Sequence, residues 1–277
     1  MNNLGYGTLS SGYNNLNKAA LREAFRQGVK HLDTAYSYQD SETMLSSVIK
    51  EQKVERNSIE LTTKVMPVLS FNKKVETSLK RLKVDYVDNL LIHWPTGDEK
   101  LLYSILKDME KLQESEKVLS IGLSNFPLDL TQKINQDFDI KVIQRCLSLL
   151  WIKNIDKEIE YCKTRGIRVQ TYSPLASSLL IKEAESSYIN NKELYGKIIS
   201  TLDLIGQKMN ATRAQVALAF VASYEIDTVF FSSNNVSNLK TNLNVLTLDK
   251  EDLAILKTLA FDLDKYNLSD NFYKHEW

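Results

Sequence analysis

The stretch IELTTKVMPVLSFNKKVETSLKRLKVDYVDNLLIH, residues 59–93, contains a strand–helix–strand unit. Apolar runs at 59–64 and 86–93 flank a segment, Asn72–Leu82, whose apolar residues recur at helical spacing. Strands that are apolar nearly throughout are typical of a parallel sheet that is buried on both faces. The stretch therefore predicts two parallel strands joined by a helix, with a right-handed crossover.

The same unit recurs on both sides of this stretch. We predict six further strands, at residues 4–8, 29–33, 118–125, 140–144, 167–173 and 227–233. Amphipathic segments lie between the strands, and the further predicted helices are Asn17–Gln27, Ser41–Lys50, Glu99–Glu114, Leu128–Asn135, Asp156–Thr164, Thr212–Ser223, Val236–Leu243 and Asp249–Leu263. Asp33, Lys64 and His93 end three successive strands, at spacings of 31 and 29 residues. Such regular units predict an α/β protein that forms a closed (β/α)8 barrel of the TIM type.

An open, doubly wound sheet is the alternative fold for this alternation. It should show GxGxxG after the first strand, and the chain reads GYGTLSSG at residues 5–12 instead. The last two strands are about 60 residues apart, and residues 182–211 fill this gap with an added helix near Glu193–Lys208. Because no linker rich in Pro, Gly or Ser divides the chain, we predict a single domain over residues 1–277.

The composition limits the class of partner. Lys and Arg together number 35, as do Asp and Glu, so no net charge draws the protein to nucleic acid or to an anionic membrane surface. No stretch reaches the roughly 18 apolar residues that a membrane-spanning helix needs. Cys146 and Cys162 lack metal-site spacing and indicate reduced thiols. We expect a cytoplasmic protein, a monomer or small homo-oligomer, without metal, nucleic-acid or membrane partners.

Polar side chains at the strand ends are the candidate site. The C-terminal strand ends of such a barrel form its active-site face, so Asp33, Lys64 and His93 are expected to share one cluster, over which Tyr38 reaches back. Taken alone, His93 is also consistent with a core residue and Asp33 with a turn or cap residue. Tyr36 competes with Tyr38. Lys64 is harder to explain by packing, because a buried Lys needs a partner.

The segment LDTAYSYQDSE (32–42) resembles the signature of the aldo-keto reductase family, in which an Asp is followed five residues later by a catalytic Tyr. Lys64 in LTTK and His93 in LLIHWP match the other two members of that family's tetrad. The resemblance continues in order through GLSNF (122–126), Gln144, YSPLA (172–176) and NLKTNL (238–243). It implies a barrel enzyme that reduces a carbonyl with NADP(H), with Asp33, Tyr38, Lys64 and His93 as its catalytic residues.

These residue types suit carbonyl reduction. Hydride arriving at a carbonyl carbon leaves charge on the oxygen, and a positioned acid must protonate it. An ammonium about 4 Å away stabilises phenolate by at most about 4 kcal/mol, enough to lower the Tyr38 pKa by up to about 3 from its usual value of about 10. Asp33 would keep Lys64 charged, and His93 would donate to the carbonyl or help pass the proton.

The resemblance also implies the cofactor contacts. Ser124, Asn125 and Gln144 match residues that hold the nicotinamide carboxamide, and Tyr172 matches the aromatic on which its ring stacks. The remaining matches are Ser173 and Leu175 in the pyrophosphate loop, Ser232, Ser233 and Asn234 before the helix at Val236, and Asn238 and Asn242 near adenine. Gln144 and Tyr172 are also consistent with hydrogen bonding inside a barrel layer.

Two segments depart from the family pattern. FFSSNNVSN (230–238) is neutral and lacks Gly, where the family often carries a cation or a Gly-rich turn for the NADP 2′-phosphate. NADP(H) remains the cofactor that the resemblance implies, while NAD(H) or use of both becomes more credible. ASSLL (176–180) replaces a segment that often contains Gly, which leaves the path of the pyrophosphate loop open.

The substrate is expected to be a small-molecule carbonyl compound, an aldehyde, ketone or sugar, in a pocket walled by Tyr6, Tyr36 and Trp94. A cofactor-binding regulatory or redox-sensing subunit on the same fold is the alternative function. A metal-dependent hydrolase ranks third, because it needs several His at strand ends and the chain has three His in all, of which only His93 qualifies.

Overall fold

The computed structural model describes residues 3–9, 18–38, 40–182 and 189–266. The strands are β1 (Leu4–Gly7), β2 (His31–Asp33), β3 (Glu60–Val65), β4 (Val87–Ile92), β5 (Val118–Ser124), β6 (Val142–Cys146), β7 (Arg168–Tyr172) and β8 (Thr228–Phe231). The helices are α1 (Lys18–Arg26), α2 (Ser41–Glu51), α3 (Phe71–Leu82), α4 (Glu99–Glu114), α5 (Leu128–Ile134), α6 (Ile155–Arg165), α7 (Lys192–Met209), α8 (Arg213–Ala222), α9 (Val236–Leu243) and α10 (Lys250–Asp264). Short 3-10 helices cover Arg56–Ser58 and Ala176–Ser178.

The strands form a closed barrel in the order β1 to β8, and every neighbouring pair is parallel. The barrel closes where Leu4 and Tyr6 of β1 lie opposite Val229 and Phe231 of β8. Parallel neighbours require a crossover for each connection, and the helices supply it. The predicted (β/α)8 barrel is therefore confirmed.

Most element boundaries lie within two residues of the prediction. The added helix near Glu193–Lys208 is α7, and the Asn191 side chain caps it by accepting from the Leu194 amide at 3.0 Å. Strand β6 lies two residues later than predicted, because the chain still turns at Ile140 and its last residues pair with β7. Asn17, the predicted start of the first helix, lies outside the described residues.

Alternate residues of each strand face opposite sides of the barrel wall, and β3 shows the division clearly. Leu61 and Val65 pack in the apolar layer between the sheet and the helices. Glu60, Thr62 and Lys64 point to the barrel interior, where each is hydrogen-bonded. The apolar core therefore lies outside the sheet, and polar side chains fill much of the barrel interior.

Within the described residues, no helix is long and apolar enough to cross a membrane.

Candidate active site

A cleft of about 740 Å³ opens at the C-terminal ends of the strands. Its lining includes the four predicted catalytic residues, the predicted substrate residue Trp94 and all of the predicted cofactor contacts, namely Ser124, Asn125, Gln144, Tyr172, Ser173, Leu175, Ser232, Ser233, Asn234, Asn238 and Asn242. The fold thus brings together side chains that lie more than 200 residues apart in the sequence.

Lys64 and Asp33 form a buried ion pair at the base of the cleft. Lys64 Nζ donates to Asp33 Oδ1 at 2.6 Å and to the carbonyl oxygen of Thr34 at 3.0 Å. Burial lowers the Lys64 pKa from its usual value, and the charge of Asp33 opposes that change. Asp33 therefore favours the ammonium form of a side chain that is only 1% exposed.

The loop after β2 carries Tyr38 back over this pair. The Tyr36 amide donates to the Lys64 carbonyl oxygen at 2.9 Å, and the Tyr38 amide donates to the Ala35 carbonyl oxygen at 3.0 Å. Lys64 Nζ lies 5.1 Å from the centroid of the Tyr38 ring. The ammonium is therefore close enough to the Tyr38 ring to stabilise a phenolate there.

His93 lines the cleft beside Tyr38. Its ring lies edge-on to that of Tyr38, with centroids 5.6 Å apart and an interplanar angle of 71°. Burial, with a smaller contribution from the charge of Lys64, holds the His93 pKa well below its usual value. A neutral imidazole has one nitrogen that donates and one that accepts, so His93 can hydrogen-bond a carbonyl oxygen without carrying charge.

Ser37 contacts His93 and was not singled out from the sequence. Its hydroxyl oxygen lies 3.4 Å from Nδ1 of His93. A Ser next to the signature Tyr carries no sequence signal of its own, because only the fold brings residues 37 and 93 together.

Tyr36 and Tyr6 are not placed among the residues that line the cleft, contrary to the expectation that they wall the substrate pocket. The Tyr36 ring is held from outside the barrel, 4.2 Å from Lys74 Nζ and 4.6 Å from the Arg81 guanidinium. Tyr6 is 3% exposed, donates its hydroxyl to the Ser233 carbonyl oxygen at 3.3 Å, and has a pKa that burial raises to about 12. Alternation along β1 and the turn of the loop after β2 direct both rings into packing contacts.

A polar cluster beneath the Tyr38 loop was also missed from the sequence. Glu42 is fully buried in α2, and it accepts from the Thr63 hydroxyl at 3.0 Å and from Arg81 at 3.4 Å. Arg81 also donates to the Tyr36 carbonyl oxygen at 3.2 Å. This cluster ties the loop to β3 and α3, and so restricts where Tyr38 can lie.

Hydrogen bonds join the polar side chains at the end of the cleft near Tyr172. Tyr172 donates its hydroxyl to Asn125 Oδ1 at 2.6 Å, and Asn125 Nδ2 donates to the His93 carbonyl oxygen at 3.1 Å and to the Ser124 hydroxyl at 3.1 Å. Gln144 Nε2 donates to Asp33 Oδ1 at 2.8 Å. These bonds fix a tyrosine face and three polar groups on one side of the cleft.

The opposite end of the cleft is built by the loops after β7 and β8. Ser173, Ala176, Ser177 and Ser178 have φ between 51° and 76°, the left-handed region that favours Gly, so the first three residues of ASSLL are left-handed. Asn235 caps α9 by accepting from the Asn238 amide at 3.0 Å. Lys182, Asn235 and Thr241 also line the cleft and were not predicted. Among the described residues, Lys64 and Lys182 are the cations of the lining.

Within the described parts of the chain, no group of three or more His, Cys, Asp or Glu side chains is placed to hold a metal ion.

Comparison with known proteins identifies the family. The model of the aldo/keto reductase family matches residues 3–260. Methylglyoxal reductase DkgB of Salmonella typhimurium is 34% identical over 256 residues, which cover 87% of this chain and 86% of the relative. Glycerol 2-dehydrogenase (NADP(+)) of Saccharomyces cerevisiae is 28% identical over 292 residues, covering 93% and 86%. An aldo/keto reductase structure from Brucella melitensis is similar at a TM-score of 0.76 and 27% identity, over 93% of this chain and 94% of that one. The chain belongs to the aldo/keto reductase family.

Proposed function

We propose that this enzyme reduces the carbonyl of an aldehyde, ketone or sugar to an alcohol with NADP(H), and that Tyr38 supplies the proton. The observation that carries the proposal is the cluster of Asp33, Lys64, Tyr38 and His93 in one cleft. The bound nicotinamide supplies the hydride. The relatives support the reaction, since their names describe a methylglyoxal reductase and an NADP(+)-dependent glycerol dehydrogenase.

Each catalytic residue has a role that its contacts support. Lys64 stabilises negative charge on Tyr38 as the proton leaves. The ion pair with Asp33, in which Lys64 Nζ lies 2.6 Å from Asp33 Oδ1, keeps Lys64 charged. His93, neutral because of burial, hydrogen-bonds the carbonyl oxygen and orients it toward Tyr38. The charge that develops on oxygen is thus met by donors that are already in place, so little reorganisation is needed.

The end of the cleft near Tyr172 fits a nicotinamide ring. The face of Tyr172 suits stacking, and Ser124, Asn125 and Gln144 offer the hydroxyl and amides that a carboxamide needs. Among the described residues, no group donates to Oε1 of Gln144, which leaves this acceptor for the carboxamide NH₂. We assign Ser173 and Leu175 to the pyrophosphate, and assign Ser232, Ser233, Asn234, Asn238 and Asn242 to the adenosine half.

Trp94 is the aromatic that we assign to the substrate. It follows His93 directly and lines the same cleft. We do not assign Tyr6 and Tyr36 to the substrate, because their rings pack elsewhere. A regulatory or redox-sensing subunit is not favoured by the relatives, which are named as oxidoreductases.

We also propose one domain over residues 1–277, a cytoplasmic location and a monomer or small homo-oligomer. The closed barrel from β1 to β8 and the packing of α10 against α7 support one domain. Cys146 and Cys162 are both free and buried, as expected for a reducing compartment.

The test is cofactor titration and turnover of a carbonyl panel by the wild type, Tyr38→Phe and Tyr36→Phe. Tyr38→Phe is expected to lower kcat by about 10²–10⁴-fold, because it removes the acid, and to bind NADPH as the wild type does. Tyr36→Phe is the matched control, and it should keep its activity. Equal turnover by wild type and Tyr38→Phe would exclude Tyr38 as the acid. NADPH binding without turnover of any carbonyl would instead support the regulatory alternative.

A further inference from the structure

A chain of hydrogen bonds crosses the barrel interior from its N-terminal end to the catalytic residues. We call it the interior chain, and its members are Arg168, Glu60, Asn89, Thr62, Gln170, Gln144 and Asp33. Only Gln144 and Asp33 are accounted for by the proposed function. The others are not among the residues that line the cleft.

The lower end of the interior chain has a fixed direction. Arg168 is a donor only, and it donates to Glu60 Oε1 at 2.5 Å and to Asn89 Oδ1 at 2.7 Å. Glu60, whose ionised carboxylate can accept but not donate, also accepts from Asn89 Nδ2 at 2.8 Å. The ion pair therefore allows a single orientation of the Asn89 amide, with its nitrogen facing the middle of the barrel.

In the middle of the interior chain, the orientation of the Asn89 amide is followed by a matching orientation of the Gln170 amide. Asn89 Nδ2 and Gln170 Nε2 both donate to the Thr62 hydroxyl oxygen, at 3.0 Å and 3.2 Å. Because the nitrogen of Gln170 faces Thr62, its oxygen faces Gln144 and accepts from Gln144 Nε2 at 3.1 Å. All three side chains in the middle are at most 1% exposed, so water does not compete for these bonds.

At the upper end of the interior chain, Asp33 fixes the orientation of the Gln144 amide, and it does so independently of Arg168 and Glu60. Lys64 Nζ donates to Asp33 Oδ1, so this oxygen is an acceptor, and the atom of Gln144 that faces the same oxygen is the nitrogen. Both hydrogens of Gln144 Nε2 are then used, one by Asp33 and one by Gln170. The amide plane is fixed by two acceptors, and Oε1 remains for a donor in the cleft.

We infer that Gln170 is a positioning residue for the nicotinamide: by accepting the second hydrogen of the Gln144 amide, it holds Gln144 Oε1 toward the carboxamide NH₂ group. The inference rests on the proposed assignment of Gln144 to the carboxamide. Without the oxygen of Gln170, the Gln144 amide is held at one hydrogen only and turns more freely, so the carboxamide loses a fixed acceptor.

The experiment compares two ligands that differ only in the nicotinamide ring, NADP⁺ and 2′-phospho-ADP-ribose, by calorimetric titration of the unliganded enzyme. Gln170→Met is expected to weaken NADP⁺ binding by about three- to ten-fold and to leave 2′-phospho-ADP-ribose binding unchanged. Thr171→Val is the matched control: this neighbouring residue in β7 is equally buried and faces the other side of the barrel wall, and its hydroxyl has no hydrogen-bond partner in the part of the chain that the structure describes. It should bind both ligands as the wild type does.

Further variants separate the possible failures. Gln144→Met should show the same selective loss; if it binds NADP⁺ normally, the assignment of Gln144 to the carboxamide fails. If Gln144→Met loses affinity and Gln170→Met does not, or if Gln170→Met weakens both ligands equally, the positioning role is wrong. Thr62→Val removes the oxygen that accepts from Gln170 while keeping the side-chain shape, and it should give a smaller selective loss of NADP⁺ binding. This variant replaces Gln170→Met in the test if Gln170→Met does not fold. In turnover, the KM for NADPH should rise more than kcat falls.

Discussion

The choice between Tyr36 and Tyr38 shows what a single residue position decides. Both rings follow Asp33 within a few residues, and either could in principle serve as an acid. The backbone bond from the Tyr36 amide to the Lys64 carbonyl fixes the loop, after which the Tyr36 ring packs against Lys74 and Arg81. Tyr38, two residues later, lines the cleft near Lys64. The assignment of the acid therefore follows from where the loop is anchored.

The buried neutral His93 predicts a dependence of stability on pH. Its pKa in the folded protein is well below the value of 6.5 that it has when unfolded, so the unfolded state binds more protons between these two values. The free energy of unfolding should therefore rise with pH in this window, with a contribution from His93 of up to about 1.4 kcal/mol per pH unit, and fall as the pH drops below about 6.5. Urea unfolding of wild type and His93→Gln between about pH 5 and pH 7 measures it. His93→Gln should show a smaller slope; an unchanged slope would contradict the burial of a neutral imidazole.

At the scale of elements, the loops after β7 and β8 form the end of the cleft that we assign to adenosine. The β7 loop holds four non-Gly residues with positive φ, which costs conformational energy but directs Leu175 and Ser177 to the cleft. The turn before α9 supplies hydroxyl and amide side chains from residues 232–235. Residues 232–235 contain no Lys or Arg, so this turn lacks the strongest charge-assisted contact to a 2′-phosphate and should favour NADPH over NADH less than a turn with a cation would.

Adding a cation to this turn should create discrimination. Asn234→Arg places a guanidinium at an exposed position of the cleft lining, where it can bind the 2′-phosphate with two charge-assisted bonds. The ratio of the Kd for NADH to the Kd for NADPH is expected to rise by at least about ten-fold relative to wild type. Fluorescence titration with both nucleotides measures it, with Asn234→Gln as the neutral control of similar reach. An equal gain for both nucleotides would show that the added charge acts on the shared pyrophosphate and not on the 2′-phosphate.

For the whole molecule, closure of the barrel leaves little room at its inner wall. A Cβ added at Gly122 would lie against the Val142 carbonyl oxygen and 2.6 Å from a methyl of Leu91. A Cβ added at Gly5 would lie 2.5 Å from the ring of Phe230. The small residues of β1 and β5 thus allow large and polar neighbours to share the interior.

Gly122→Ala is therefore expected to destabilise the barrel. The added methyl meets backbone that cannot move without disturbing the β5–β6 pairing, so the free energy of unfolding should fall by about 1–3 kcal/mol or more. Gly7→Ala is the control, because its added Cβ has no neighbour nearer than 3.8 Å among the described residues. Urea unfolding followed by circular dichroism compares the two variants. Equal stability of both would mean that the barrel wall relaxes around the extra methyl group.

The amino-acid sequence by itself determined the alternation of strands and helices, the closed barrel and most of the polar residues that line its cleft. The alternation follows from local periodicity, the barrel from the regular spacing of the units, and the cleft residues from polar strand ends and the family resemblance. The tertiary structure alone decided which way each side chain points and which partners it meets. The Gln144 amide is oriented by Asp33, 111 residues away, and by Gln170, while Tyr6 and Tyr36 are drawn into packing by residues on other elements. A donor orients an acceptor only when the fold brings the two within hydrogen-bond distance, and the positions of two residues in the sequence do not show whether this happens.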